Sequence, residues 1–265
     1  MNIDKLFKKA DFYRNNGQTK KAISLYQKLA KIYNQKKEFY NATHSLQQIG
    51  VSYKIDNDET KAITALKKAH FYALEHNENL MAGAILRDIG ITYEYQDKFK
   101  IALKYLNQSR KILETVKEKE HLAITLAKIG LVYTRLKKYD DAENYIKKAQ
   151  RLFQKYPHWF FEGTTNGHLA NLEIEKKDYK NALKTLNKTE IIFNEHKKEE
   201  PHLRRFSQIW GLQAFVLAKL NQKDKAKKLF DKSRKLIKEN LSESAAAVVD
   251  KDIHAEETKK LLSSK

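Results

Sequence analysis

Residues 46–53 read "LQQIGVSY", with Leu46, Ile49, Gly50 and Tyr53 at helical spacing and polar residues between them. That spacing places the four on one face of a helix. The run returns as "LRDIGITY" at 86–93 and as "LAKIGLVY" at 126–133, 40 residues apart each time. Its phase reaches Ala10 behind and Ala170 ahead, and a sixth copy is centred on Ala214 after four extra residues. Twelve residues beyond each small residue stands an alanine: Ala22, Ala62, Ala102, Ala142, Ala182 and Ala226. A large residue follows it (Tyr26, Leu66, Leu106, Ile146, Leu186, Phe230), then a mostly small one, then an apolar one. Offsets of 0, 4, 7 and 11 make a second helical stripe. Each copy therefore predicts two helices, joined near "KIDNDET", "YQDKF", "RLKKYDD" or "LNQKDK".

Glycine inside a helix costs roughly 0.5–1 kcal/mol relative to alanine. Its return at Gly50, Gly90 and Gly130 therefore needs a packing reason. Two antiparallel helices that pack against the next pair need a point of close backbone approach. A small residue on the first helix facing the small alanine of the second supplies it.

Composition agrees with an all-helical chain. Only 2 Pro and 8 Gly occur in 265 residues, too few turn residues for a sheet protein of this size. The absence of cysteine excludes disulfides, thiolate metal sites and a cysteine nucleophile. The segment "MNIDKLFKKADFY" has no apolar core of a signal peptide, and no stretch approaches the ~18 apolar residues of a membrane span. The expected location is the cytoplasm. Net charge is +19, from 52 Lys and Arg against 33 Asp and Glu. A polyanionic partner is one source of such a balance. Compositional drift is the other, since the chain is also rich in Asn, Ile and Tyr. Only eight of the basic residues are Arg, whereas bidentate recognition favours Arg over Lys.

Leu-x-x-Ile-Gly-x-x-Tyr, followed by Ala, large, Ala, resembles the tetratricopeptide repeat (TPR), most fully in copies two to four. Trp210 stands where that family often has tryptophan, at the start of the first-helix signature. The usual period is 34 residues. The 40 residues here resemble the long repeats of kinesin light chains and of bacterial peptide-sensing TPR regulators. The resemblance implies a right-handed superhelical solenoid over residues 1–240, with repeats at about 3–36, 37–76, 77–116, 117–156, 157–198 and 200–240. Residues 241–265 lack the signature and are expected to form a capping helix or a tail.

The resemblance also implies a protein- or peptide-binding groove lined by the first helices. Its positions carry His44, Gln47, Lys54, Arg87, Glu94, Arg135, Thr164, Gly167, Asn171, Gln208 and Gly211. Gly163, Gly167 and Asn171 lie four apart and are expected to form a groove floor that a ligand backbone approaches closely, Asn171 offering its carboxamide. The other reading of this copy is a degenerate repeat. No repeat pairs Lys and Asn in the manner of a chaperone carboxylate clamp. "YPHWFFEG" at 156–163 is either a staple on the preceding pair or an aromatic anchor for a partner. Trp210 is expected to face inward. The segment "NEHKKEEPHLRRF" at 194–206 holds the four-residue insertion, and its basic pair Arg204 and Arg205 reads either as a contact for an acidic partner or as part of a solvated loop. The nine histidines show no metal-ligand spacing, and there is no phosphate loop or nucleophile elbow. The expectation is therefore a non-catalytic scaffold or regulatory adaptor that needs no cofactor. The alternative is a nucleic-acid-associated or acidic-partner-binding protein using the basic surface.

Overall fold

The computed structural model describes residues 2–196, 203–240, 249–250 and 254–264. Residues 197–202 of the segment that holds the insertion lie outside them, and so does most of the 241–253 stretch, whereas Arg204 and Arg205 fall in a helix rather than in a loop. The described residues form thirteen helices. They are α1 (Ile3–Asn15), α2 (Thr19–Gln35), α3 (Phe39–Ile55), α4 (Glu59–Glu75), α5 (Asn79–Tyr95), α6 (Phe99–Thr115), α7 (Glu120–Arg135), α8 (Tyr139–Lys155), α9 (Trp159–Glu175), α10 (Tyr179–Glu195), α11 (Leu203–Lys219), α12 (Lys223–Asn240) and α13 (Ala255–Ser263). None is long and apolar enough to cross a membrane. The chain divides into two compact units, Met1–Val132 and Tyr133–Lys265.

The period has a local cause. Helices α2 to α6 are each 17 residues long, and α2 to α5 are followed by three-residue links. Most links place one residue in the left-handed region: Gly17, Lys37, Asn57, Asn77, Asp97, Lys137, Lys177 and Asn221, with φ between 56° and 70°. There the chain reverses and returns its N–H groups to the last carbonyls of the preceding helix. Asn57 N–H donates to the Lys54 carbonyl at 3.1 Å and Asp58 N–H to the Tyr53 carbonyl at 3.0 Å. This is the Schellman closure that satisfies the orphan carbonyls of a helix end. The link after α6 differs: Val116 is extended, and the Lys119 ammonium caps the carbonyls of Leu113, Glu114 and Val116.

Helices α1 to α6, and again α8 to α12, pack side by side in chain order, and α13 packs mainly on α11. The whole stripe read on the second helices is buried: Ala22–Tyr26–Leu29–Tyr33, Ala62–Leu66–Ala69–Ala73 and their equivalents through Ala226–Phe230–Ser233–Ile237. The glycines explain the pairing. A Cβ on Gly50 would stand 2.6 Å from Leu66 Cγ and 3.3 Å from the Ala62 carbonyl oxygen. On Gly90 it would stand 2.8 Å from Leu106 Cγ and 3.1 Å from the Ala102 oxygen. The first helix thus rests on the large residue of the second, and its backbone comes close to that of the alanine one turn before.

The aromatic outliers pack. Trp159 stacks on His196 at 4.4 Å and meets Phe193 edge-on, and Phe160 joins the same cluster with Phe206 and Ile209. Trp210 also belongs to this cluster. Its indole N–H donates to Glu190 at 2.7 Å, and Lys232 lies 3.5 Å above its ring. Helix α13 lays Leu261 and Leu262 against Leu217, Ala218 and Ala226, and the Glu257 carboxylate meets Lys219 at 2.6 Å.

Two substitutions of the same kind are expected to have opposite effects. Gly50→Ala forces its Cβ into Leu66 and should destabilise the protein by about 1–3 kcal/mol despite better helix propensity. Gly167→Ala meets nothing within 4 Å and should stabilise α9 by roughly 0.5–1 kcal/mol. Denaturant unfolding midpoints of the two variants check both signs.

Candidate functional site

In the first unit, the polar residues of the first helices close on one another. Asp11 on α1 accepts from the Tyr26 hydroxyl at 2.6 Å and pairs with Arg14 at 3.1 Å. Arg14 donates to the Gln48 side-chain oxygen on α3, and the Gln48 amide nitrogen lies 3.0 Å from His44 Nε2. His44 also stacks on Phe7. Gln47 donates to Asp88 on α5 at 2.6 Å. Asp88 lies 3.6 Å from Arg87 Nε, and Arg87 Nη1 donates to His121 Nδ1 on α7 at 3.0 Å. The result is a chain of polar contacts across four consecutive first helices.

These groups are deeply placed. Gln47, Gln48, Arg87 and Asp88 are all less than a tenth exposed. Asp88 and Arg87 balance in charge, which is how buried ions are tolerated. Burial, then the Arg87 guanidinium, lowers His121 from its ordinary 6.5 to about 4. The neutral ring keeps Nδ1 as an acceptor for Arg87. Burial likewise lowers His44. Burial, and next the bond to Asp11, holds the Tyr26 hydroxyl protonated well above its ordinary range. Among the described residues, no group of three His, Cys, Asp or Glu is placed to hold a metal.

The other sequence-predicted residues fall as follows. Lys54 and Glu94 are half-buried near the ends of α3 and α5, and Arg135 is exposed at the end of α7. In the second unit, the Thr164 hydroxyl turns back onto the Phe160 carbonyl at 2.9 Å. Gln208 accepts from Arg205 at 3.0 Å, and the Arg205 guanidinium lies 5.6 Å over the Phe160 ring. Gly211 is buried and Asn171 half-buried. The expected shared face of Gly163, Gly167 and Asn171 divides. A Cβ on Gly163 would stand 2.6 Å from the Phe193 ring, so this glycine serves helix pairing, whereas Gly167 borders open space. At 100° per residue, a step of four turns the face by 40°, enough to separate the two.

Sequence reading passed over Gln48, Asp88 and His121. The first two carried a signal: each is a second polar residue between the Leu and Ile of the repeat motif.

Two outcomes follow from this network. Asp88→Asn leaves Arg87 buried without its countercharge and should cost about 2–4 kcal/mol in denaturant unfolding. His121 and His44 bind protons more weakly folded than unfolded. The stability they contribute is therefore complete above about pH 6.5 and is lost as pH falls toward about 4. Melting temperature should drop across that window, and His121→Gln, which keeps an acceptor but cannot titrate, should flatten the drop.

The chain resembles known proteins in sequence model and in fold. Residues 121–195 match the tetratricopeptide repeat model, and residues 2–156 match the model described as soluble NSF attachment protein, SNAP. No curated protein matches the chain in sequence. Among solved structures, BtubC (BKLC) from P. vanneervenii superposes with a TM-score of 0.65 at 15% identity, covering 89% of this chain and 91% of that one. A Rap protein complexed with competence and sporulation factor gives 0.68 at 17% identity, covering 90% and 65%. Aspartyl phosphate phosphatase F from Bacillus subtilis gives 0.62 at 14% identity, covering 98% and 82%. At these identities the likeness is one of fold. With more than half of its length matched by one family model, the chain belongs to the soluble NSF attachment protein, SNAP, family, and its architecture is that of a tetratricopeptide-repeat array.

Proposed function

We propose that this protein is a non-catalytic regulatory scaffold that binds a protein or peptide ligand along its first helices. The contact centres on the face of α9 around Gly167. The observation that carries the reading is Gly167 itself. Gly50, Gly90 and Gly163 are each explained by a side chain pressed against them, whereas nothing lies within 4 Å of a Cβ on Gly167. A helix-interior glycine without a packing role gives up roughly 1 kcal/mol of helix propensity. Close approach of a ligand backbone gives that sacrifice a use. Asn171 stands one turn further on, with a carboxamide able to donate to and accept from a peptide bond. The Rap protein complexed with competence and sporulation factor, which has the same fold, adds support to a ligand-binding role.

Arg87 and Gln47 take a different part in this reading. Their side chains are committed to Asp88 and His121, so they shape the first unit rather than grip the ligand.

The test uses dodecapeptides selected by display on the purified chain and relabelled with a fluorophore for anisotropy. Gly167→Leu should weaken them at least tenfold, about 1.4 kcal/mol, while the melting temperature holds or rises. Asn171→Ala should weaken them severalfold. Salt dependence should be modest, because few ionic contacts are involved. If Gly167→Leu binds every selected peptide as the parent does, the α9 face is not the site. A steep fall of affinity with salt would instead favour the basic surface.

A further inference from the structure

The chain's positive charge is not spread evenly over its helices. The second helices of the pairs, α2, α4, α6, α8, α10 and α12, carry 26 Lys and Arg against 11 Asp and Glu, a net +15 of the total +19. The first helices, α1, α3, α5, α7, α9 and α11, carry 11 against 8. The first helices bury more of their residues, so most of the charge falls on the second helices. The concentration is greatest on α12, with eight basic residues in 18. Lys225, Lys228, Lys232 and Lys235 follow one exposed stripe along it at spacings of three and four. Lys227 and Lys238 flank that stripe, with Asp224, Asp231 and Glu239 as the acidic residues of the helix.

We propose that the outer face of α12 docks the phosphate backbone of nucleic acid, without reading its sequence. This surface is separate from the ligand face proposed on α9 and does not depend on it. From Lys225 to Lys235 the stripe runs about 15 Å at 1.5 Å per residue. A duplex carries one phosphate charge per about 1.7 Å of its axis, so over that length its two strands present more charges than the stripe has ammonium groups. Seven of the eight basic residues on α12 are Lys, a point charge suited to phosphate, and the single Arg, Arg234, is paired with Asp250. That leaves no guanidinium for a base edge. The exposed face of α12 carries no large apolar side chain, so it lacks the wedge that seats a helix in a lipid bilayer.

The probe is a fluorescein-labelled 20-base-pair DNA duplex, titrated with the full chain between 50 and 200 mM salt. Binding is expected at 50 mM salt, with a logarithmic slope of about −3 to −4, as four neutralised phosphates require. The variant K225E/K228E/K235E leaves Lys232 over Trp210. It should keep parent helicity and melting temperature, weaken binding more than tenfold and reduce the slope by about 3. Duplexes of unrelated sequence should bind alike. Gly167→Leu should not change DNA binding, which keeps this outcome distinct from that of the α9 site. No binding at 50 mM salt, or equal binding by the triple variant, overturns the proposal. It is also overturned if phosphatidylserine vesicles or polyglutamate bind in a K225E/K228E/K235E-sensitive manner while the duplex does not bind.

Discussion

The architecture depends on how closely the two helices of each pair can come together. At Gly50 and Gly90 the first helix has no side chain where the second presents Leu66 and Leu106, and the alanine carbonyl one turn earlier lies just beyond. Any larger residue would push the pair apart. The buried stripe of the second helix would then lose the contacts that keep it dry. Because the contact recurs every 40 residues, a similar pair is built again and again, and each pair offers the next one a surface of the same shape. The glycine's propensity cost is small beside the packing it permits.

That close pairing has consequences for polar groups. In the first unit, consecutive first helices come near enough for Gln47 to reach Asp88, and for Arg87 to reach His121. Side chains that a looser array would show to solvent are there buried and mutually satisfied. In the second unit, α9 has glycine at the position equivalent to Gln47 and Arg87, and the space beside it stays open. The same repeat position thus serves internal cohesion in one unit and, in the proposed function, contact with a ligand in the other.

Much of this was legible in the sequence, and the gaps have physical causes. The period, the all-helical class, the joins between helices and every stripe residue from Ala22 to Ile237 follow from spacing alone, because burial of an apolar face repeats with the helix. The left-handed links were not legible. Lys37, Lys137 and Lys177 have no preference for that conformation and are held there by the carbonyls they cap. The roles of Gly163 and Gly167 were merged because a step of four residues looks like one face until the 40° drift is resolved against Phe193. The burial of Arg87 and Gln47 was also out of reach, since it depends on the distance between successive first helices, which no single repeat encodes. The inward place of Trp210 follows from its position in the repeat, whereas 156–163 left a staple and a partner anchor both open, and Trp159 packs on Phe193 and His196 at α10 of its own pair rather than on the preceding pair.

The most direct test of the central claim is a double-mutant cycle between Gly50 and Leu66 in denaturant unfolding. If the two are pressed together as described, Gly50→Ala costs about 1–3 kcal/mol in the parent and little or nothing once Leu66→Ala has removed the colliding atoms, a coupling of at least about 1 kcal/mol. If the two costs simply add, the first helix does not rest on Leu66, and the account of how the array is built is wrong.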